Sequence, residues 1–164
     1  MNLQAEAPLR FGRLDASHLD AVLAIEVEAY PEPWTRAMFR EEIRSEKSHF
    51  YVMSLGDELV GYGGFWLVLD EAHITSLTIR DVFRGRGYGR RLLRFIERAA
   101  ATAGARMATL EVRESNSRAR KLYTTAGYRI VGVRRGYYAK TKENGVVMLK
   151  PLGKRDFFPE NRVD

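Results

Sequence analysis

Two residues and one loop in this chain have the types that group transfer uses. Glu111 is an acidic side chain inside the otherwise apolar run Met107-Ala108-Thr109-Leu110-Glu111-Val112. A carboxylate withdrawn from water has its pKa pushed toward neutrality, and such a base can take a proton from an amine. The position equally suits a structural Glu paired with Arg106 or Arg113, and sequence position alone leaves both readings open. Tyr123 shares helical spacing with Ala119, Leu122 and Ala126, which points to core packing, while its hydroxyl is a proton donor of the kind a leaving thiolate needs. The loop reads Arg84-Gly85-Arg86-Gly87-Tyr88-Gly89-Arg90. It separates a β-branched run at 73–79 from a stretch with Leu92, Leu93, Ile96 and Ala99/Ala100 at helical spacing. The first N–H groups of a helix are unpaired and favour anionic oxygens, glycines let the backbone approach, and the arginines add charge. That is where a polyphosphate would bind.

Better-known uses of such a loop fit poorly. Gly85, Gly87 and Gly89 make GxGxG rather than the dinucleotide GxGxxG, and no GK[ST] follows as in a P-loop. No serine sits in a G-x-S-x-G elbow, and the absence of cysteine removes disulfides, thiolate metal sites and an acyl-cysteine intermediate. His18, His49 and His73 are far apart, form no HExxH, and read as surface or capping histidines, so no metal is expected. What remains is direct transfer between two bound substrates. Moving an acyl group from a thioester to an amine needs a phosphate cradle, a base for the ammonium, donors for the oxyanion and an acid for the thiolate.

At 164 residues the chain reads as a single domain over 1–152 with a loose tail over 153–164. No run reaches the ~18 apolar residues of a membrane span and no leader pattern opens the chain, so a soluble cytoplasmic protein is expected. The net charge of +6 is uneven: 6 basic and 13 acidic residues over 1–79, 15 and 4 over 80–135, 6 and 4 beyond. The basic excess begins at the glycine loop, which suits a phosphorylated small ligand better than the broad basic face of a nucleic-acid binder. Acidic residues such as Glu26, Glu28 and Glu32 would attract a basic peptide.

The elements that must position these residues read as strand, two helices, three strands, helix, strand, helix, two strands. Residues 9–14 form the first strand; Asp15 caps a helix carrying Leu19, Val22, Leu23 and Tyr30; Thr35 caps a second with Met38, Phe39 and Ile43 inward. Residues 50–55 and 59–67 flank a Gly56-Asp57 turn as a hairpin. Strand 72–79, helix 88–103 and strand 107–112 make a βαβ unit, which forces a parallel pair into a mixed sheet. Asn116 or Ser117 caps the fourth helix, Gly127 stops it, and strands follow at about 128–137 and 146–149.

The chain resembles the GNAT acetyltransferases over nearly its whole length, and within them the ribosomal-protein-alanine N-acetyltransferases of the RimI type. Arg84 to Gly89 fits the superfamily's [RQ]-x-x-G-x-[GA] loop. Leu110-Glu111-Val112-Arg113-Glu114-Ser115-Asn116, then Leu122-Tyr123 and Gly127-Tyr128, fits the narrower L-E-V-R-x-S-N…LY…G[FY] pattern. Pro33-Trp34 and Arg135-Gly136-Tyr137-Tyr138 match less completely. The resemblance implies an α/β GNAT fold, with a mixed, mostly antiparallel sheet, a splayed parallel strand pair and about four flanking helices. It implies acetyl-CoA as cosubstrate, held by Leu77, Thr78, Ile79, the loop Arg84, Gly85, Arg86, Gly87, Tyr88, Gly89 and Arg90, and Asn116. It also implies Glu111 as proton acceptor, Tyr123 as donor to the CoA thiolate, and the N-terminus of a ribosomal protein as acceptor. Gly136 stands where that family has asparagine, and Ala139 where it has proline, both near the acceptor side. The alternatives are a lysine or small-amine acetyltransferase and a non-catalytic acyl-CoA-binding regulator.

Overall fold

The computed structural model describes residues 7–153, so the tail expected over 153–164 lies outside the described residues apart from Gly153. The elements are β1 (Leu9–Arg13), α1 (Leu19–Ala29), α2 (Arg36–Arg44), β2 (Ser48–Leu55), β3 (Glu58–Val68), β4 (Glu71–Ile79), α3 (Tyr88–Thr102), β5 (Met107–Arg113), α4 (Ser117–Thr125), β6 (Arg129–Tyr138) and β7 (Glu143–Pro151). This is the expected order. Three local details differ. Asp15 caps a 3₁₀ turn at Ala16–His18 that leads into α1, and His18 returns the bond by accepting from the Asp15 N–H at 3.0 Å. Tyr30 falls one residue past α1 as its extended cap, because Pro31 and Pro33 follow. Met38 is 44% exposed; only Phe39 is fully buried on α2.

The strands form one sheet in the order β1-β2-β3-β4-β5-β7-β6, antiparallel everywhere except between β4 and β5. That pair is joined by Glu71↔Met107, Ala72↔Ala108 and His73↔Thr109, although β4 runs on to Ile79 and β5 to Arg113. The two strands therefore part at mid-sheet and leave backbone without a ladder partner on each side of the gap.

A β-bulge starts the divergence. In the β3–β4 ladder Gly64 pairs with Ser76 and Phe65 with Ile74, so Thr75 is the extra residue. Side-chain direction reverses there: Ala72 and Ile74 pack in the core under α3, and beyond the bulge Leu77 and Ile79 do so too. A second bulge at Val60 in β3 has the same effect, since Val60 joins the α3 side and Tyr62 the α1/α2 side. The sheet thus has a core on each face. One holds Leu92, Leu93 and Ile96 of α3; the other holds Val22, Phe39 and Tyr62. Close packing of α3 depends on Gly63, where a Cβ would lie 2.8 Å from Ile96 Cδ1 and 2.7 Å from the Ser76 carbonyl.

Candidate active site

The gap between β4 and β5 opens into two adjoining cavities. The first, of about 350 Å³, is bordered by Leu77, Thr78 and Ile79 and by the glycine loop with the start of α3. Gly85 and Gly87 have φ of 75° and 83°, the left-handed region that side chains with a Cβ rarely enter. No protein atom lies within 4 Å of where a Gly87 Cβ would stand, so the backbone faces open space there. Gly87 is the N-cap of α3 and offers no side-chain cap. The helix's first N–H groups and its dipole are thereby presented to the cavity, a fit for a pyrophosphate.

Of the expected loop residues, Arg84, Gly85, Gly87, Tyr88, Gly89 and Arg90 border this cavity, whereas Arg86 does not: its guanidinium lies over the Phe83 ring at 5.9 Å. Arg84 is tied down by a 3.1 Å bond from Nε to the Ile79 carbonyl and by Asp81 at 3.2 Å. Asn116 borders both cavities and also caps α4, its Oδ1 accepting from the Ala119 N–H at 3.1 Å. Arg118 joins the cavity lining. Its place in the first turn of α4 was visible in sequence, but nothing there showed that α4 would close the cavity.

The second cavity, of about 310 Å³, contains Glu111 and Tyr123 together, with Tyr30 and Leu77 shared with the first. Tyr123 is 8% exposed, and burial pushes its phenol pKa up, which keeps it in the proton-bearing form. Tyr138 is likewise pushed up to about 12, chiefly by burial. Tyr30, missed as a site residue, reaches in from beyond α1 and shares a 2.7 Å hydroxyl hydrogen bond with Thr78. Thr75, the bulged residue, borders the same cavity, and its Oγ1 is the one buried side-chain polar atom among the described residues without a partner. A buried hydroxyl left so costs about 1–3 kcal/mol, which marks the cavity as shaped for a polar occupant.

Glu111 corrects two expectations. Its pKa lies below the usual carboxylate range, not above it, because a hydrogen bond from His73 outweighs the effect of burial, with the His73 and Arg134 charges adding to it. Nor is its partner Arg106 or Arg113. His73 Nε2 lies 2.5 Å from Oε2, and Arg134 Nη2 lies 3.5 Å from Oε1. His73 is therefore neither a bare surface residue nor a cap: parallel pairing of β4 with β5 brings it against the carboxylate 38 residues away. Of the three acidic residues expected to attract a peptide, Glu26 and Glu32 border the cavity and Glu28 does not. Glu26 is 3% exposed and internally committed, accepting from the Trp34 N–H at 3.0 Å and from the Tyr62 hydroxyl.

The sequence profile of the acetyltransferase (GNAT) family matches residues 19–128. The chain belongs to the GNAT family. A Haemophilus influenzae [ribosomal protein bS18]-alanine N-acetyltransferase is 31% identical to this acetyltransferase over 139 residues, covering 83% of this chain and 94% of that protein. A Mycobacterium tuberculosis N-alpha-acetyltransferase RimI is 30% identical over 152 residues, covering 89% and 94%. The crystal structure of the Escherichia coli ribosomal-protein-S18-alanine N-acetyltransferase superposes with a TM-score of 0.82 at 26% identity, covering 94% of this chain and 98% of that one. The enzyme is thus a GNAT N-acetyltransferase related to RimI, and GNAT enzymes use acetyl-CoA. No helix among its described residues is long and apolar enough to cross a membrane.

Proposed function

We propose that this enzyme transfers the acetyl group of acetyl-CoA directly to the α-amine of a protein N-terminus, with the N-terminal alanine of a small-subunit ribosomal protein as its natural acceptor. The observation that carries the reading is the opposition of Glu111 and Tyr123 in one cavity adjoining the glycine-loop cavity at Leu77 and Asn116. In this reading Glu111 receives the ammonium proton, the freed electron pair attacks the thioester carbonyl, and Tyr123 protonates the departing CoA thiolate. The cavity beside the loop takes the pyrophosphate and pantetheine, with Leu77 to Ile79 extending the sheet onto the latter. The relatives' bS18-alanine activity supports the choice of acceptor.

Proton chemistry favours the α-amine. With reference pKa values of about 7.7–8.0 for an α-amine and about 10.4 for lysine, roughly a tenth of the former but under about 0.1% of the latter is neutral at pH 7. Lysine therefore asks for about 3 kcal/mol more from the same base. The test is a competition at pH 7 between an Ala-initiated peptide with downstream arginines and the same peptide with a blocked N-terminus and a free lysine. The first is expected to show the higher kcat/KM, read by CoA thiol release and mass spectrometry. The reverse order assigns a side-chain acetyltransferase, and no CoA release with either leaves an acyl-CoA-binding regulator.

A further inference from the structure

Glu26 takes no part in the proposed proton transfers, yet it is 3% exposed and both of its oxygens are engaged. Oε1 accepts from the Trp34 N–H at 3.0 Å and Oε2 from the Tyr62 hydroxyl. Tyr62, on β3, is fully buried, and its hydroxyl has that of Thr78 as a second hydrogen-bonding neighbour. Thr78, on β4 and also buried, has its Oγ1 2.7 Å from the Tyr30 hydroxyl. Glu26, Tyr62, Thr78 and Tyr30 thus form one line, and it ends where the two cavities meet: Tyr30 borders both, as do Leu77, Asn116 and Ala119.

A line of hydroxyls can run in two directions, and the carboxylate chooses one. A carboxylate only accepts, so the Tyr62 hydrogen goes to Glu26. The Tyr62 oxygen is then free to accept from Thr78, and the Thr78 oxygen to accept from Tyr30. In this direction every hydroxyl hydrogen has a partner; were Thr78 to donate to Tyr30 instead, the Tyr30 hydrogen would be left without one. Burial raises the Tyr30 pKa, so the phenol keeps the hydrogen that it gives to Thr78. Its oxygen retains lone pairs at the junction, and donating along the line makes it a better acceptor.

We propose that Tyr30 accepts an N–H of the attacking amine, and that Glu26, acting through Tyr62 and Thr78, is the positioning residue that keeps the phenol an acceptor, an inference that rests on the proposed transfer to an amine. Once Glu111 has taken one ammonium proton, two N–H groups remain beside the electron pair that attacks. An acceptor at the junction holds one of them and turns the pair toward the thioester. A donor there would engage the pair itself and oppose attack.

The test uses the full chain with saturating acetyl-CoA and an Ala-initiated peptide. Tyr30→Phe keeps the ring and removes the acceptor; kcat/KM for the peptide should fall about tenfold or more, with the acetyl-CoA Kd unchanged by calorimetry. Glu26→Gln should reverse the line. The Trp34 N–H retains the amide oxygen, so the amide N–H faces Tyr62, each hydroxyl donates one step on, and the Tyr30 hydrogen points at the amine. Its kcat/KM should fall at least as far as that of Tyr30→Phe, and in the Tyr30→Phe background Glu26→Gln should cost nothing further. Thr78→Val, which cuts the line and keeps a β-branched side chain, should show the same dependence on Tyr30 and supplies the reading if Glu26→Gln does not fold. An unchanged kcat/KM in Tyr30→Phe overturns the contact, and a weakened acetyl-CoA Kd with the peptide unaffected assigns the phenol to the cofactor instead. Equal losses from Glu26→Gln or Thr78→Val with and without the Tyr30 hydroxyl overturn the line. A wild-type enzyme that transfers no acetyl group defeats the proposed function and this inference together, whereas an active wild type matched by Tyr30→Phe defeats the inference alone.

Discussion

At the scale of single residues, the two proposed proton carriers are held in opposite states by their surroundings. Glu111 is held below the carboxylate range by His73 and Arg134, and Tyr123 above the phenol range by burial. Glu111 is thus ionised, and Tyr123 protonated, across neutral pH. Replacing Glu111 with Gln is expected to cut kcat by about 10² to 10⁴, the usual range for a lost general base, with acetyl-CoA affinity little changed. Tyr123→Phe should lower kcat as well, and in the wild type Tyr123 should contribute no alkaline limb below about pH 10. A limb there that disappears in Tyr123→Phe contradicts the raised phenol. The sign for stability follows from the depressed Glu111 pKa: its stabilisation is present above the unfolded value and lost as pH falls through the folded one. The Tm of Glu111→Gln should therefore vary less than that of wild type as pH falls from 5 to 3, as calorimetry can show.

At the scale of elements, the glycine loop and the parting strands do different work. The loop supplies backbone N–H groups at a helix start without a side-chain cap, and Gly87 borders the cavity at a φ where a side chain would strain the backbone, with open space around its Cβ site. Gly87→Val should abolish acetyl-CoA binding by calorimetry. Gly104, at φ 105° after α3, also has open space around its Cβ site but lies away from both cavities, so Gly104→Val carries similar strain and serves as the control. It should lower Tm and leave affinity intact; equal loss of binding in both variants would attribute the effect to strain alone. The departure at Gly136 also becomes intelligible at this scale. Its φ is 59°, within a β6 segment where the β6–β7 register shifts, and asparagine is among the few other residues that adopt that conformation.

At the scale of the whole molecule, the basic excess and the proposed cofactor cavity coincide. The basic excess of residues 80–135 runs from the loop through α3 and α4, and Arg84, Arg90 and Arg118 bring it to the cavity wall. Raising salt from about 0.1 M to about 1 M shortens the screening length from about 10 Å to about 3 Å. Acetyl-CoA affinity is therefore expected to weaken several-fold by calorimetry, while a salt-independent Kd would show that hydrogen bonds and apolar contacts carry the cofactor alone. The two cores matter here too. They sandwich the sheet from both faces, so the strands that border the gap between β4 and β5 are set in packed side chains.

Much of this was legible along the chain because it depends on local spacing. The alternation of strand and helix patterns gave the element order, the βαβ unit required a parallel pair, and glycines before an amphipathic helix pointed to the proposed anion site. Asn116 as the cap of α4, and Glu111 and Tyr123 as candidates, came from the same local reading. The tertiary structure decided what depends on distant partners. A bulge at Thr75 has no signature in periodicity, yet it reverses which side chains face α3 and begins the gap. The sign of the Glu111 shift could not follow from an apolar neighbourhood, because it is set by His73, 38 residues away, and by Arg134 on a strand that does not pair with β5. Burial is partly a property of the local sequence, whereas the charge that answers it is brought by the fold.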